Sequence, residues 1–120
     1  MKIKGVIFTA AIALSSITAA YAGGNNSFTS QSGWGNKAGT GQAGWGNFSG
    51  TGQTGFFNNA NTIQYGKYNM SGTSQYGIGN NSLTVQDGWG NVSGTFQYGY
   101  GNNSTTYQNG VGNSSTTVQY

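Results

Sequence analysis

The sequence predicts an all-β fold: a β-solenoid of 11-residue strand-turn units, two units per coil, stacking into a cross-β fibre. Three observations carry this. Glutamine recurs every eleven residues without a gap, at Gln31, Gln42, Gln53, Gln64, Gln75, Gln86, Gln97, Gln108 and Gln119, and the chain has no other glutamine. Glycine, asparagine and threonine recur at fixed offsets from it. Charged residues make up only 4% of the chain, and proline and cysteine are absent. A disordered chain is normally charge-rich, and a small exported domain normally relies on disulfides. A neutral, Asn/Gln/Gly/Ser/Thr/Tyr-rich repeat points instead to polar β-structure.

Glycine stands two residues after each glutamine that a further unit follows, at Gly33, Gly44, Gly55, Gly66, Gly77, Gly88, Gly99 and Gly110. Asparagine stands five after, at Asn36, Asn47, Asn58, Asn69, Asn80, Asn91, Asn102 and Asn113. Threonine stands nine after, from Thr40 and Thr51 to Thr117, and the position seven after holds only Ser or Ala, from Ala38 and Ser49 to Ser115. The unit reads Q-x-G-x-G-N-x-S-x-T-x.

An 11-residue period also suits a right-handed helical coiled coil, but that requires an apolar stripe and good helix formers. This unit has neither. Asn, Ser/Ala, Thr and Gln fall on alternate positions and so share one face of a strand, while Gly-x-Gly supplies a reversal. Each unit therefore reads as a seven-residue strand and a four-residue turn, as in Asn36 to Gln42 followed by Ala43-Gly44-Trp45-Gly46. Phe57 and Tyr68 stand in the second-glycine column, which implies that this position does not strictly require positive φ in those units.

Eight units give four coils and a ragged end, a rise of roughly 19 Å at about 4.8 Å per coil. Asn25, Ser27 and Thr29 extend the columns backwards by half a unit. The repeated face is expected inside, because identical amides one coil apart form hydrogen-bonded ladders and small Ser, Ala and Thr let two sheets approach. The opposite orientation, with Ile63, Val85, Phe96, Tyr107 and Val118 inside, competes with it on sequence alone.

Residues 1–22 read as a signal peptide: a basic Met1-Lys2-Ile3-Lys4, an apolar run from Val6 to Leu14 too short to span a bilayer, and Ala20-Tyr21-Ala22 as a small-x-small cleavage site. Residues 23–30 form a short N-terminal segment with a partial repeat, and residues 31–120 the repeat domain, eight units and a terminal Gln-Tyr. Removing Lys2 and Lys4 lowers the formal charge from +3 to about +1, carried by Lys37, Lys67 and Asp87. No basic footprint for nucleic acid remains, and no membrane insertion is expected.

One carboxylate without histidine or cysteine offers no acid-base pair, so no enzyme, zinc site or cofactor is expected, and the Gly-x-Gly pairs lack the partners of phosphate motifs. Asn-x-Ser/Thr triplets arise from the repeat itself. Lys37, Lys67 and Asp87 are candidate gatekeepers against assembly, or simply solubilising charges. The aromatics Trp34, Trp45, Phe56, Trp89 and Tyr100 fill the turn column, where they pack or offer a sticky surface.

Gln31-x-Gly33-x-Gly35-Asn36-x-Ala38-x-x-x-Gln42 resembles the curlin repeat, Q-x-G-x-G-N-x-A with Q four residues after the Ala, and the match recurs across residues 31–120 with Ser usually in the Ala place. Familiar curlin repeats are about twice as long, with two kinds of half, and follow a longer Gly-rich leader than Gly23-Gly24-Asn25-Asn26. The resemblance implies a secreted, cell-surface bacterial amyloid that builds biofilm matrix and adheres to surfaces, exported through an outer-membrane secretion pore and seeded by a nucleator subunit. The residues themselves suggest a homopolymer. The last strand, Asn113 to Gln119, carries no charge or proline and is followed only by Tyr120, so its edge is expected to be open to a second molecule. The alternatives are a monomeric ligand- or ice-binding solenoid with Thr and Ser facing outward, and a nucleator or minor subunit of the same fibre.

Overall fold

The computed structural model describes residues 22–120; the expected signal peptide, apart from Ala22, lies outside them. The described chain is a β-solenoid of ten strands: β1 (Ala22–Gly23), β2 (Asn26–Trp34), β3 (Lys37–Trp45), β4 (Phe48–Phe56), β5 (Asn59–Lys67), β6 (Met70–Ile78), β7 (Asn81–Trp89), β8 (Val92–Tyr100), β9 (Asn103–Val111) and β10 (Ser114–Gln119). Odd-numbered strands form one five-stranded sheet and even-numbered strands the other. Every pairing is parallel and joins positions 22 residues apart, as Gln42 with Gln64 and Gln64 with Gln86. Like therefore stacks on like, two units per coil.

The expected division into seven strand and four turn residues is corrected to nine and two. Gly44 and Trp45 still pair with Gly66 and Lys67 in the ladder, and only Gly46-Asn47 lies outside it. The reason is the conformation of the first glycine column. Gly33, Gly44, Gly55, Gly66, Gly77, Gly88, Gly99 and Gly110 take φ of 105–130°, a region open essentially to glycine, so the strand changes direction without leaving its ladder. The corner is narrow enough for backbone bonds to continue through it, as from Lys37 N–H to Asn58 O at 2.7 Å and Phe57 N–H to Trp34 O at 2.9 Å.

The second glycine column is left-handed throughout, and the two exceptions in residue type are not exceptions in conformation. Phe57 has φ 55° and Tyr68 φ 56°, beside 65–70° for the glycines of the column. This overturns the expectation from sequence. A non-glycine residue here costs about 1 kcal/mol, and what offsets it is room for the ring one coil earlier. A Cβ on Gly35 would lie 2.5 Å from the Phe57 ring, and one on Gly46 would lie 2.8 Å from the Tyr68 ring. Each aromatic thus lies across a glycine, and Phe57 also meets Trp34 with ring centroids 6.4 Å apart.

The repeated face lies inside. Asn, Ser, Thr and Gln of the central coils are buried, and Ala60 is the sole buried hydrophobic residue among the described ones. Ile63 and Val85 sit half-buried on the outward face, and Phe96, Tyr107 and Val118 are exposed. Because the core holds almost no apolar side chain, hydrogen-bond satisfaction and close backbone stacking must hold the sheets together.

Candidate functional site

The strands place one glutamine per half-coil on the inward face, where its carboxamide has two tasks. In the even-numbered sheet Nε2 donates up the stack from Gln31 to Gln53, Gln75, Gln97 and Gln119 in turn, at 2.6–2.8 Å. In the odd-numbered sheet the same relay runs Gln42, Gln64, Gln86, Gln108 at 2.7–2.8 Å. The other Nε2 hydrogen crosses to the opposite sheet, as from Gln53 to Lys37 O at 2.8 Å and from Gln86 to Met70 O at 2.9 Å. From Gln42 onward each amide therefore ties coil to coil and sheet to sheet, which lets the fully buried glutamines of the central coils hold rather than weaken the core.

Asparagine performs the equivalent work at the corner. Asn58 Nδ2 donates to Thr54 O at 3.2 Å and to Gly77 O at 3.0 Å, while its Oδ1 accepts from the Asn80 backbone N–H at 3.1 Å. The same pattern recurs from Asn47 to Asn91. The glycine column interlocks with it. The Gly77 carbonyl that Asn58 binds lies against Gly55, where an added Cβ would come within 2.0 Å of that oxygen.

The Ser and Thr columns differ. Thr51, Thr62, Thr73, Thr84, Thr95, Ser71, Ser82 and Ser93 bury hydroxyls that have no hydrogen-bond partner among the described residues. Stacked hydroxyls about 4.8 Å apart are beyond hydrogen-bond reach. These residues contribute small volume, not bonding.

Both ends of the stack carry incomplete ladders. At the β9–β10 end, Gln108 and Gln119 each donate once, to Val92 O and Asn103 O, and their second N–H has no acceptor among the described residues. Asn102 and Asn113 likewise offer Oδ1 without a donor there. At the β2–β3 end, Gln31 and Gln42 present Oε1, and Asn36 its backbone N–H, without partners among the described residues. Donors of glutamine face one way along the axis and acceptors the other.

The outward faces are unlike. Lys37, Lys67 and Asp87 are all exposed on the odd-numbered sheet, with Lys67 in register between Trp45 and Trp89. The even-numbered strands carry no charged side chain. There Phe48, Met70 and Val92 form one column, and Gly50, Gly72 and Gly94 a flat stripe beside it. In the turn column Trp34, Phe56 and Tyr100 align on the even-numbered sheet and Trp45 and Trp89 on the odd-numbered one.

Two features escaped the sequence reading. Tyr76, Tyr98 and Tyr120 form a column, the first pair tilted with ring centroids 6.3 Å apart and the second stacked at 5.9 Å; their 22-residue spacing, each directly after a glutamine, was the available signal. The segregation of charge onto one sheet was readable from unit parity in the same way.

Among the described residues no three His, Cys, Asp or Glu cluster to hold a metal, and no helix is long and apolar enough to cross a membrane. No family model matches the chain, and no curated protein sequence is significantly similar to it.

Proposed function

We propose that this chain is a structural subunit of an extracellular amyloid fibre of the curli type, one that supports biofilm matrix and surface adhesion by end-to-end strand addition. The observation that carries the reading is the one-way glutamine ladder, whose β9–β10 end offers N–H donors and whose β2–β3 end offers matching oxygens. A second copy supplies what each end lacks, together with backbone partners for an edge strand. The buried amides are of the kind that stabilise cross-β stacks.

In this reading the partners are further copies of the chain, a nucleator subunit and an outer-membrane secretion pore, the last two resting on the likeness of the repeat to the curlin pattern. No catalysis and no cofactor form part of it. A monomeric ice-binding solenoid needs its threonine ladders outward, whereas Thr62, Thr84 and Thr95 are fully enclosed.

Fibre diffraction tests the proposal. Filaments grown from the chain beginning at Gly23 should bind amyloid dyes and give a meridional reflection near 4.8 Å. Filaments lacking both would overturn it.

A further inference from the structure

We infer that successive copies dock with β2 over β9 and β3 over β10, so that neighbours along the fibre are related by a half-turn about its axis. The inference rests on the fibre reading and specifies its contact. From β2 to β10 the described chain lays down nine strands that alternate between two sheets. Nine is odd. The next vacant place on the winding therefore lies over β9, in the odd-numbered sheet, while the strand that must fill it, β2, belongs to the even-numbered one.

The ladder chemistry fits this seat. With the 22-residue register continued, Gln31 of the incoming copy lies over Gln108 and Gln42 over Gln119, so each unused Nε2–H meets an unused Oε1. The backbone N–H groups of Asn25 and Asn36 reach the Oδ1 atoms of Asn102 and Asn113, as Asn80 N–H reaches Asn58 within the chain. Gly33 falls over Gly110. That glycine has φ 117°, and the nearest atom to an added Cβ is 3.5 Å away, whereas Gly33, Gly44, Gly55, Gly66, Gly77 and Gly88 each meet a carbonyl oxygen at 1.9–2.0 Å. The incoming Gly33 carbonyl occupies the equivalent place.

The strand lengths fit as well. β10 has six residues where β8 beneath it has nine; Tyr120 stacks on Tyr98, which leaves Gly99 and Tyr100 without a strand partner above. β1 has two residues, and within its own chain it covers Gly44–Trp45, the same two positions of the unit. In the half-turn seat Gly23, the β1 residue kept by the chain beginning at Gly23, lies over Tyr100, so that β10, Tyr120 and the incoming Gly23 together cover eight of the nine positions of β8.

Other seats do less. Placing β2 over β10 keeps the sheets in phase but leaves the nine-residue edge of β9 bare and interrupts the ladder at Gln108. End-for-end docking faces donor with donor and reverses the strand direction that every pairing in the molecule shares. The half-turn seat also has a consequence for the surface. Each side of the fibre alternates the charge-bearing face with the charge-free one, a banding of about 43 Å from nine strands on each side at about 4.8 Å.

Helical reconstruction from electron micrographs of fibres grown from the chain beginning at Gly23 tests this. The expected result is a rise of about 22 Å per copy with a rotation near 180°, offset by accumulated sheet twist. A rise of about 24 Å with no half-turn would overturn the docking and leave the fibre reading intact, while absence of fibres would overturn both. A second variant duplicates residues 70–80, which makes the strand count even. Its fibres should lose the half-turn, and retention of it would contradict the argument from parity.

Discussion

Gln75 Nε2 donates to Gln97 Oε1 at 2.7 Å, one coil away, and both side chains are almost wholly enclosed. Gln75 also accepts from Gln53 and donates across the core to Asn59 O at 2.9 Å. One carboxamide thus answers three neighbours, and removing it strands one N–H of Gln53 and the Oε1 of Gln97 in the core and takes a donor from the half-buried Asn59 carbonyl.

Gln75→Leu should therefore destabilise the assembled state by about 3 kcal/mol, since each stranded buried group costs about 1–3 kcal/mol and some relaxation occurs. The midpoint of guanidinium dissociation of fibres reads this directly. An unchanged midpoint would mean that the amide ladder is not what holds the stack.

Gln75→Glu makes the same position pH-sensitive. Burial raises a carboxyl pKa, and protonated Glu retains one donor and one acceptor oxygen. The variant's pKa is higher folded than unfolded, so assembly should be near normal in acid and fail as pH rises through the folded value. Dye-binding lag times across pH measure it; equal lag times at acid and neutral pH would contradict the buried placement.

Ser71→Ala and Thr84→Val should behave oppositely to the glutamine variants. Their hydroxyls have no partner among the described residues, and Ala38 and Ala60 already occupy the Ser column. Replacing an unpaired buried hydroxyl by an apolar group of similar shape is neutral or stabilising, by up to about 1 kcal/mol. A loss above that in the same dissociation assay would show that these hydroxyls bond in the fibre.

Gly35→Ala should cost more than Gly90→Ala, though the two glycines share φ of 68° and 65°. The Phe57 ring lies over Gly35, while nothing lies within 4 Å of a Cβ on Gly90. Phe57→Ala should recover part of the Gly35→Ala loss and none of the Gly90→Ala loss. Additive effects in both pairs would rule out the ring-over-glycine contact.

Peptides spanning residues 80–120 should assemble faster than those spanning 31–63. The earlier segment carries Gly39, Gly41, Gly50 and Gly52 at outward strand positions, and the later one Leu83, Val85, Phe96, Tyr107 and Val118. Glycine weakens a strand. Equal lag times would show that the inward ladder alone sets the rate.

The period, the strand faces and the two-unit coil were legible because the same inward residues recur at alternate positions in every unit. The extent of the strands was not. Gly44 reads as a turn residue by type, yet at φ 111° it bends a strand that stays paired. Phe57 and Tyr68 mislead for a related reason, since an aromatic in a glycine column looks like evidence against positive φ. The compensation lies a full coil away, at Gly35 and Gly46, where residue type alone shows no link. The joining of Gln53 to Lys37 O across the sheets was not legible either, because no spacing rule relates a side chain to a backbone carbonyl in the facing sheet.

The most direct test of the central claim follows thioflavin T fluorescence, electron microscopy and circular dichroism of the chain beginning at Gly23, diluted from denaturant as monomer. The account predicts a sigmoidal rise and unbranched fibrils, shortened in lag by added fibre fragments. A β-rich protein that stays monomeric and soluble would contradict it.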